Sequence, residues 1–514
     1  MNKTPIFLYV IVAVAGASVL ALEILGTRIL GPHFGVSLFL WSALITVTLA
    51  ALAIGYLIGG SWADRFGSYR RLCSLMGIAG AWIVAIPWMQ TAVIGMVSGW
   101  EIRGAIIGSS AILFFVPLMI LGAVTPYAIR LTLTAVEQAG RTSGRLFALS
   151  TIASVASALL TGFYLIPNLG VFLLTTVLGT LLLLTAGAGY IAERGTGKVI
   201  VQSLVFGIVG LAALVVSPVE RADPENGLIA VRQSPYAEIR IFDNPDGRHF
   251  LIDRGIHSRI DTATRQSTLP YTAVMEIPKR YFSRPGRMLL IGLGGGSLVR
   301  CYTDAGWEVD AVEIDPEVIA MAREYFDLDG AGGAVYETDG RRYLATTAEK
   351  YDIVLIDAYG SSSIPFHLVT AEAFGLSKSV LNDGGILAVN VISLGWRDPL
   401  VLDIAGTLRI PFRDVLALPM AEPPDRLGNL ILLAGDRDLG GIPDPEGNVD
   451  LDPDWRYGPG YAIAHAWDNR FSPETAGRRA LTDDLNPIDL RSEVTMLAAR
   501  REVREYFARL NVKW

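Results

Sequence analysis

Seven runs of mostly apolar residues, each long enough to cross a bilayer, occupy the first 217 positions of this 514-residue chain. They fall at about 6–30, 37–60, 72–96, 105–129, 146–166, 170–192 and 199–217. A spanning helix needs about 20 such residues, so residues 1–217 are expected to form a multi-pass transmembrane domain of about seven α-helical spans. The first run is too long for the apolar core of a signal peptide, and no small-residue cleavage site follows it, so it reads as a retained span.

Charge divides the chain at the same place. Residues 1–217 hold 11 Lys/Arg and 5 Asp/Glu, a net of +6, and the remainder holds 32 and 45, a net of −13. The overall −7 and the 18% charged residues average over these two unlike parts, where a soluble chain carries about 25% charge. The basic residues mark one side of the membrane. Lys3 precedes the first run, Arg65, Arg70 and Arg71 follow the second, Arg130, Arg141 and Arg145 follow the fourth, and Arg194 and Lys198 follow the sixth. The positive-inside rule puts these loops and the N-terminus in the cytoplasm, which makes this an inner-membrane topology. Seven spans would leave the C-terminal part outside the cytoplasm; six would return it to the inside. The 105–129 run contains Pro117 and Pro126 and is the one expected to break.

Within the spans, Glu23 and Arg28 stand out, because a carboxylate facing lipid costs several kcal/mol and therefore faces a partner or a cavity. A buried pair with a basic residue of a neighbouring helix is the favoured reading, and a substrate or ion contact is the other. Gly55, Gly59 and Gly60 suit close helix packing. The two cysteines, Cys73 and Cys301, have no metal-type spacing and the five histidines are scattered, so no metal is expected.

The acidic part begins with alternating residues over 228–260, interrupted by Asn244-Pro245-Asp246-Gly247. This pattern predicts a small antiparallel β-sheet with a hairpin turn, within a β-domain spanning 222–280. From 281 to 437 strands alternate with helices, which predicts an α/β domain around a doubly wound parallel sheet. Its first strand leads into MLLIGLGGGSLVRCY, where Gly292, Gly294 and Gly296 let backbone approach a ligand closely. The next strand, VDAVEIDP, ends in Glu313 and Asp315, and Glu313 follows Gly294 by 19 residues. That is the spacing at which a carboxylate can hold a ribose diol. Asp339-Gly340 follows a third strand, and Asp357 ends a fourth, YDIVLID. Ligands of such sheets bind beyond the strand C-termini, so Gly292, Gly294, Gly296, Glu313, Asp315, Asp339 and Gly340 are the candidate cofactor-binding set. Asp315, before Pro316, and Asp339, before Gly340, also suit helix capping. Carboxylates without a phosphate-binding lysine point to a ligand carrying hydroxyls, an amine or a sulfonium. A net of −13 argues against nucleic acid. Residues 438–514 read as an extension with a loop and an apolar-faced helix at 490–510.

The stretch from about 228 to 435 resembles the spermidine synthase (polyamine aminopropyltransferase) family, which is built on the class I methyltransferase (Rossmann-type) fold. The text EILGTRILGPHFGVSLFLWSALI, the loop GGSWADRFGSYRR, SSIPFHLVT and LTDDLNP at 481–487 resemble the membrane-fused branch of that family. The resemblance implies that Glu313 binds the ribose of decarboxylated S-adenosylmethionine or methylthioadenosine and that Asp339 approaches the adenine amine. It implies that Asp357 faces the junction of donor and amine, with Tyr271 shaping the amine pocket; these two are the candidate catalytic residues. Gly255 to Ser258 stand where the family has a Gly-x-x-Gln-Ser segment, with His257 for the glutamine.

Two departures bear on the acceptor. Where the family carries a second Asp shortly after the one matching Asp357, this chain has Ser361, Ser362 and Ser363. The acidic residue of the segment around Tyr271 is replaced as well, by Thr272 and Ala273. The candidate acceptor-binding residues are accordingly His257, Ser362, Asp483 and Asp484. The resemblance implies aminopropyl transfer to an amine or polyamine by a chain held in the lipid bilayer. Two further functions stay open: a non-catalytic domain that binds a nucleoside or polyamine and regulates a membrane module, and a methyltransferase using S-adenosylmethionine. A homodimer is also left open.

Overall fold

The computed structural model describes residues 4–192 except 98 and 134, residues 208, 209 and 212, and residues 222–509 except 361–363, 421–425 and 442–458. The chain forms two compact units, Met1–Glu220 and Arg221–Trp514.

In the first unit, six of the described helices are long and apolar enough to cross a membrane: Ile6–Phe34, Leu38–Phe66, Tyr69–Val97, Ile102–Thr132, Val136–Leu165 and Val171–Ile191. The seventh expected run, 199–217, lies outside the described residues except for 208, 209 and 212. The break expected near Pro117 does not occur. Proline has no N–H to give the carbonyl four residues back, which here belongs to Leu113. The helix passes through a π-helical turn at Ala111–Phe115, and the indole Nε1 of Trp82 donates to the Leu113 carbonyl at 3.1 Å. A side chain of a neighbouring helix thus satisfies the group that proline leaves open.

Gly55 and Gly59 do serve close packing: a Cβ on Gly59 would lie 2.6 Å from Ala123 Cα, and one on Gly55 would meet the Met119 carbonyl. Gly60 faces open space. Glu23 is half-buried, and among the described residues no hydrogen bond or ion pair engages it.

The second unit contains two sheets. Strands β1 (Leu228–Gln233), β2 (Glu238–Asn244), β3 (Gly247–Ile252) and β4 (Gly255–Ile260) form an antiparallel sheet in that order. The Asp246 N–H donates to Asn244 Oδ1 at 2.8 Å in the β2–β3 turn, and Gly247 takes φ +124°. The larger sheet has the order β10-β11-β9-β8-β5-β6-β7. Its strands are β5 (Arg287–Ile291), β6 (Glu308–Glu313), β7 (Ala334–Glu337), β8 (Tyr351–Ile356), β9 (Leu381–Leu394), β10 (Asp414–Pro419) and β11 (Leu427–Gly435). Strands β5 to β9 pair in parallel, whereas β11 runs antiparallel to both β9 and β10. The sheet is therefore mixed, with a parallel centre and an antiparallel edge. Only residues 420–426 join β10 to β11, and so short a link permits an antiparallel return but no crossover.

The apolar runs of β5 and β8 are buried on both faces, as central parallel strands must be. Met288, Leu290, Ile353 and Leu355 pack with Ile239, Ile241 and Phe250 of the small sheet in one core. Leu289, Ile291, Val354 and Ile356 point the other way into a second core. The two sheets thus share a core. The last helix, Ile488–Arg509, closes the small sheet: Phe507 is fully buried beside Phe242, and the Tyr506 hydroxyl lies 2.9 Å from both Asn244 Nδ2 and His249 Nε2.

Candidate active site

The glycine turn leaves β5 with Gly292 at φ +94°, Gly294 at +52° and Gly296 at +79°, the left-handed region that side chains with a Cβ avoid. The space is closed as well as the conformation. A Cβ on Gly292 would meet the backbone of Asp357 and Ala358, one on Gly294 would lie 2.8 Å from Ser258 Oγ, and one on Gly296 would lie 2.6 Å from Leu328 Cδ1. Ser258 of β4 fixes the turn from outside by accepting the Gly295 N–H at 2.8 Å. The small sheet therefore shapes the turn directly.

Strands β8, β5, β6 and β7 lie side by side, which brings the carboxylates at their C-terminal ends to one edge. Glu313 Oε2 accepts the Leu293 N–H at 3.0 Å, and Oε1 accepts the N–H groups of Ile314 and Asp315 at 2.9 and 3.0 Å. Burial holds its pKa above the ordinary value against these three donors. A carboxylate has about four acceptor positions, so one on Oε2 stays available to a hydroxyl. Asp315 is buried at 3% exposure and engaged at both oxygens: Oδ1 caps the helix Pro316–Phe326 through the Glu317 N–H at 3.0 Å, and Oδ2 accepts a hydrogen bond from Ser234 Oγ at 2.5 Å. Burial raises its pKa. Asp339 caps the helix Gly340–Thr346 through the Arg342 N–H at 2.9 Å, and its Oδ2 lies 3.0 Å from His367 Nε2. Gly340 packs against Ile291, where a Cβ would collide.

Asp357 lies just past β8, its N–H bound to the Ile291 carbonyl at 2.8 Å. Tyr271 donates to Oδ2 at 3.0 Å and Asn390 Nδ2 donates to Oδ1 at 2.8 Å. Burial pushes the Asp357 carboxyl up to about 6, against the lowering effect of these two donors. Burial and the neighbouring carboxylate drive the Tyr271 phenol well above its usual range, so it stays a donor. The Tyr359 hydroxyl donates to the Asn390 carbonyl at 2.9 Å and accepts the Ile392 N–H at 2.8 Å. His257, on β4, has its pKa pushed down to about 4 by burial and is neutral near pH 7.

The acceptor candidates divide. Ser362 lies outside the described residues. Asp483 forms a two-pronged pair with Arg341, at 2.6 and 2.5 Å. Arg341 also donates to the His367 carbonyl at 3.1 Å, so LTDDLNP does reach the neighbourhood of Asp339, with its first carboxylate already neutralised. Asp484 is exposed.

Sequence reasoning missed Asn390, Asn429, Ser234 and His367. A signal existed for Asn390, a lone amide in the buried run ILAVNVI, since a buried polar group in a central strand needs a partner.

Residues 271–414 match the model of the spermine/spermidine synthase domain. The polyamine aminopropyltransferase of Vibrio vulnificus (strain CMCP6) is 31% identical over 183 residues, covering 33% of this chain and 60% of that protein. The probable polyamine aminopropyl transferase of Bifidobacterium longum (strain NCC 2705) is 36% identical over 105 residues, covering 20% of this chain and 23% of that protein. The chain thus spans less than two thirds of either relative. A solved probable spermidine synthase from Corynebacterium glutamicum ATCC 13032 has a TM-score of 0.37 at 21% identity, covering 40% of this chain and 80% of that one. The matched segment starts at Tyr271 and contains the glycine turn, the carboxylates Glu313, Asp315, Asp339 and Asp357, and Asn390: over residues 271–414 this chain is similar to the spermine/spermidine synthase domain.

Proposed function

We propose that this chain is a membrane-anchored transferase that moves an aminopropyl group from decarboxylated S-adenosylmethionine to an amine. The observation that carries the reading is Asp357 at the end of β8, held between Tyr271 and Asn390 beside the glycine turn of a matched domain. The donor's adenosine lies over Gly292, Gly294 and Gly296. Glu313 takes a ribose hydroxyl on its remaining acceptor position, and Asp339 with Gly340 faces the adenine.

The amine nitrogen attacks the aminopropyl carbon next to the sulfonium. The N–C bond forms, the C–S bond breaks, its electron pair returns to sulfur, and methylthioadenosine leaves. Positioning supplies much of the rate. Asp357 orients the amine and accepts the proton it sheds. A carboxyl whose pKa is raised toward the working pH is the better base, which suits a site lacking the family's second Asp. The neutral His257 lets a cationic acceptor approach without repulsion.

Six helices suited to span a membrane support the anchoring. If only these six cross, the second unit lies on the same side as the N-terminus and the basic loops; a crossing at 199–217 would reverse it, and a C-terminal reporter fusion reads the difference.

The first test is thermal stabilisation of the purified full-length chain by methylthioadenosine. Binding only the native state adds about 2.7 kcal/mol at a hundredfold excess over Kd. A folded protein that shows no shift at millimolar ligand would sink the nucleoside site.

A further inference from the structure

We propose that Asn429, acting through Asn390, is a positioning residue for the Asp357 carboxylate in this transfer. The proposal rests on the aminopropyl-transfer reading and names a part that the sequence pattern did not assign.

Three side chains form a relay across three adjacent strands. Asp357 follows β8, Asn390 lies in β9 and Asn429 lies in β11. Asn390 pairs in register with Ile431, so Asn429, two residues earlier, is its diagonal neighbour on the same face, within reach of a long side chain. Asn429 Nδ2 donates to Asn390 Oδ1 at 2.9 Å, and Asn390 Nδ2 donates to Asp357 Oδ1 at 2.8 Å.

The chemistry of each group orders the chain. An ionised carboxylate only accepts, so Asn390 must present its NH₂ to Asp357. Its carbonyl oxygen then points away, at a residue only 3% exposed. A buried acceptor left unmet carries its full desolvation penalty, and the NH₂ of Asn429 meets it. The relay thus keeps a neutral donor aimed at one carboxylate oxygen while Tyr271 holds the other. Among the described residues Tyr359 is a further titratable group that feels the Asp357 charge, and its hydroxyl is fixed by the Asn390 carbonyl and the Ile392 N–H. A relay that merely tied β8, β9 and β11 together would affect stability but not the titration of Asp357.

The test uses full-length protein in detergent and compares Asn429→Leu, Asn390→Leu and the double variant across pH, with Asn429→Ser as a milder change that keeps a donor. Losing a donor to the ionised form raises a carboxyl pKa. Asn429→Leu is therefore expected to move the acid limb of kcat upward by about half a pH unit or more and to lower kcat roughly tenfold, leaving donor KM within about twofold. Asn429→Ser should fall between it and the wild type. Asn390→Leu should do more, and the double variant should be no worse than Asn390→Leu, since Asn429 acts only through it.

An unchanged acid limb in Asn429→Leu, or effects that add in the double variant, would overturn the relay. If the wild type transfers no aminopropyl group, the functional reading fails on its own. The relay is then decided by infrared titration of the Asp357 carboxyl, assigned by difference against Asp357→Asn: an upward shift in Asn429→Leu supports it, and no shift overturns it.

Discussion

The Tyr271 hydroxyl lies 3.0 Å from Asp357 Oδ2, a contact that spans 86 positions of sequence. It joins the short helix Pro270–Val274 to the end of β8 and leaves one carboxylate oxygen for Asn390. With burial holding the Asp357 pKa at about 6, transfer should follow its ionisation. kcat is expected to rise with pH through about 6 and then level. Tyr271→Phe removes a donor to the ionised form, so its acid limb should move to higher pH. A limb that stays in place in Tyr271→Phe would contradict the contact's role.

The same carboxyl predicts an effect on stability. Its pKa is raised on folding, from 3.8 to about 6. The folded state therefore binds the proton more tightly, and the stability this contributes is lost as pH rises through about 6. At pH 8 the native protein holds a charge that burial disfavours. Asp357→Asn should accordingly melt at a higher temperature than wild type at pH 8, with the gap closing toward pH 5, while transfer is abolished. Calorimetry of the full chain at the two pH values reads this directly.

Gly292→Ala should lose both stability and ligand. The left-handed conformation at φ +94° costs a residue with a Cβ about 1–2 kcal/mol, and that Cβ would press on the backbone of Asp357 and Ala358. Gly375, inside the helix Ala371–Ser379 and with open space around its Cβ position, is the control. Gly375→Ala should stabilise by about 0.5–1 kcal/mol and leave methylthioadenosine binding unchanged. Thermal melts with and without ligand separate the two.

The Arg341–Asp483 pair limits what LTDDLNP can contribute. Arg341 holds the Asp483 carboxyl below its usual pKa, and the pair is partly exposed, at 23% and 44%. Such pairs are worth about 0–1 kcal/mol and weaken with salt. Asp483→Asn should change stability by no more than that and leave the acceptor KM unchanged. A severalfold rise in acceptor KM would show that Asp483 binds the amine after all.

What could be read from the sequence is what depends on local pattern. The glycine turn, the acidic strand ends and six long apolar helices follow from periodicity and spacing within a few tens of residues. What depends on distant partners could not be read. The cap that Asp315 makes through the Glu317 N–H follows from its place before Pro316, but its other partner, Ser234, lies 81 positions away and joins the two sheets. The continuity of the helix through Pro117 rests on Trp82, 31 positions from the carbonyl it satisfies. The relay through Asn390 and Asn429 exists only because β11 returns antiparallel beside β9, a pairing that strand–helix alternation alone does not reveal.

The most direct measurement is single-turnover chemistry on the purified full-length chain. Decarboxylated S-adenosylmethionine labelled in its aminopropyl group is mixed with a panel of amines, and products are identified by mass. Methylthioadenosine and an N-aminopropyl amine in equal amounts, both absent with Asp357→Asn, is the predicted result. Protein that binds methylthioadenosine yet forms neither product, or that passes only a methyl group from S-adenosylmethionine, would contradict the account.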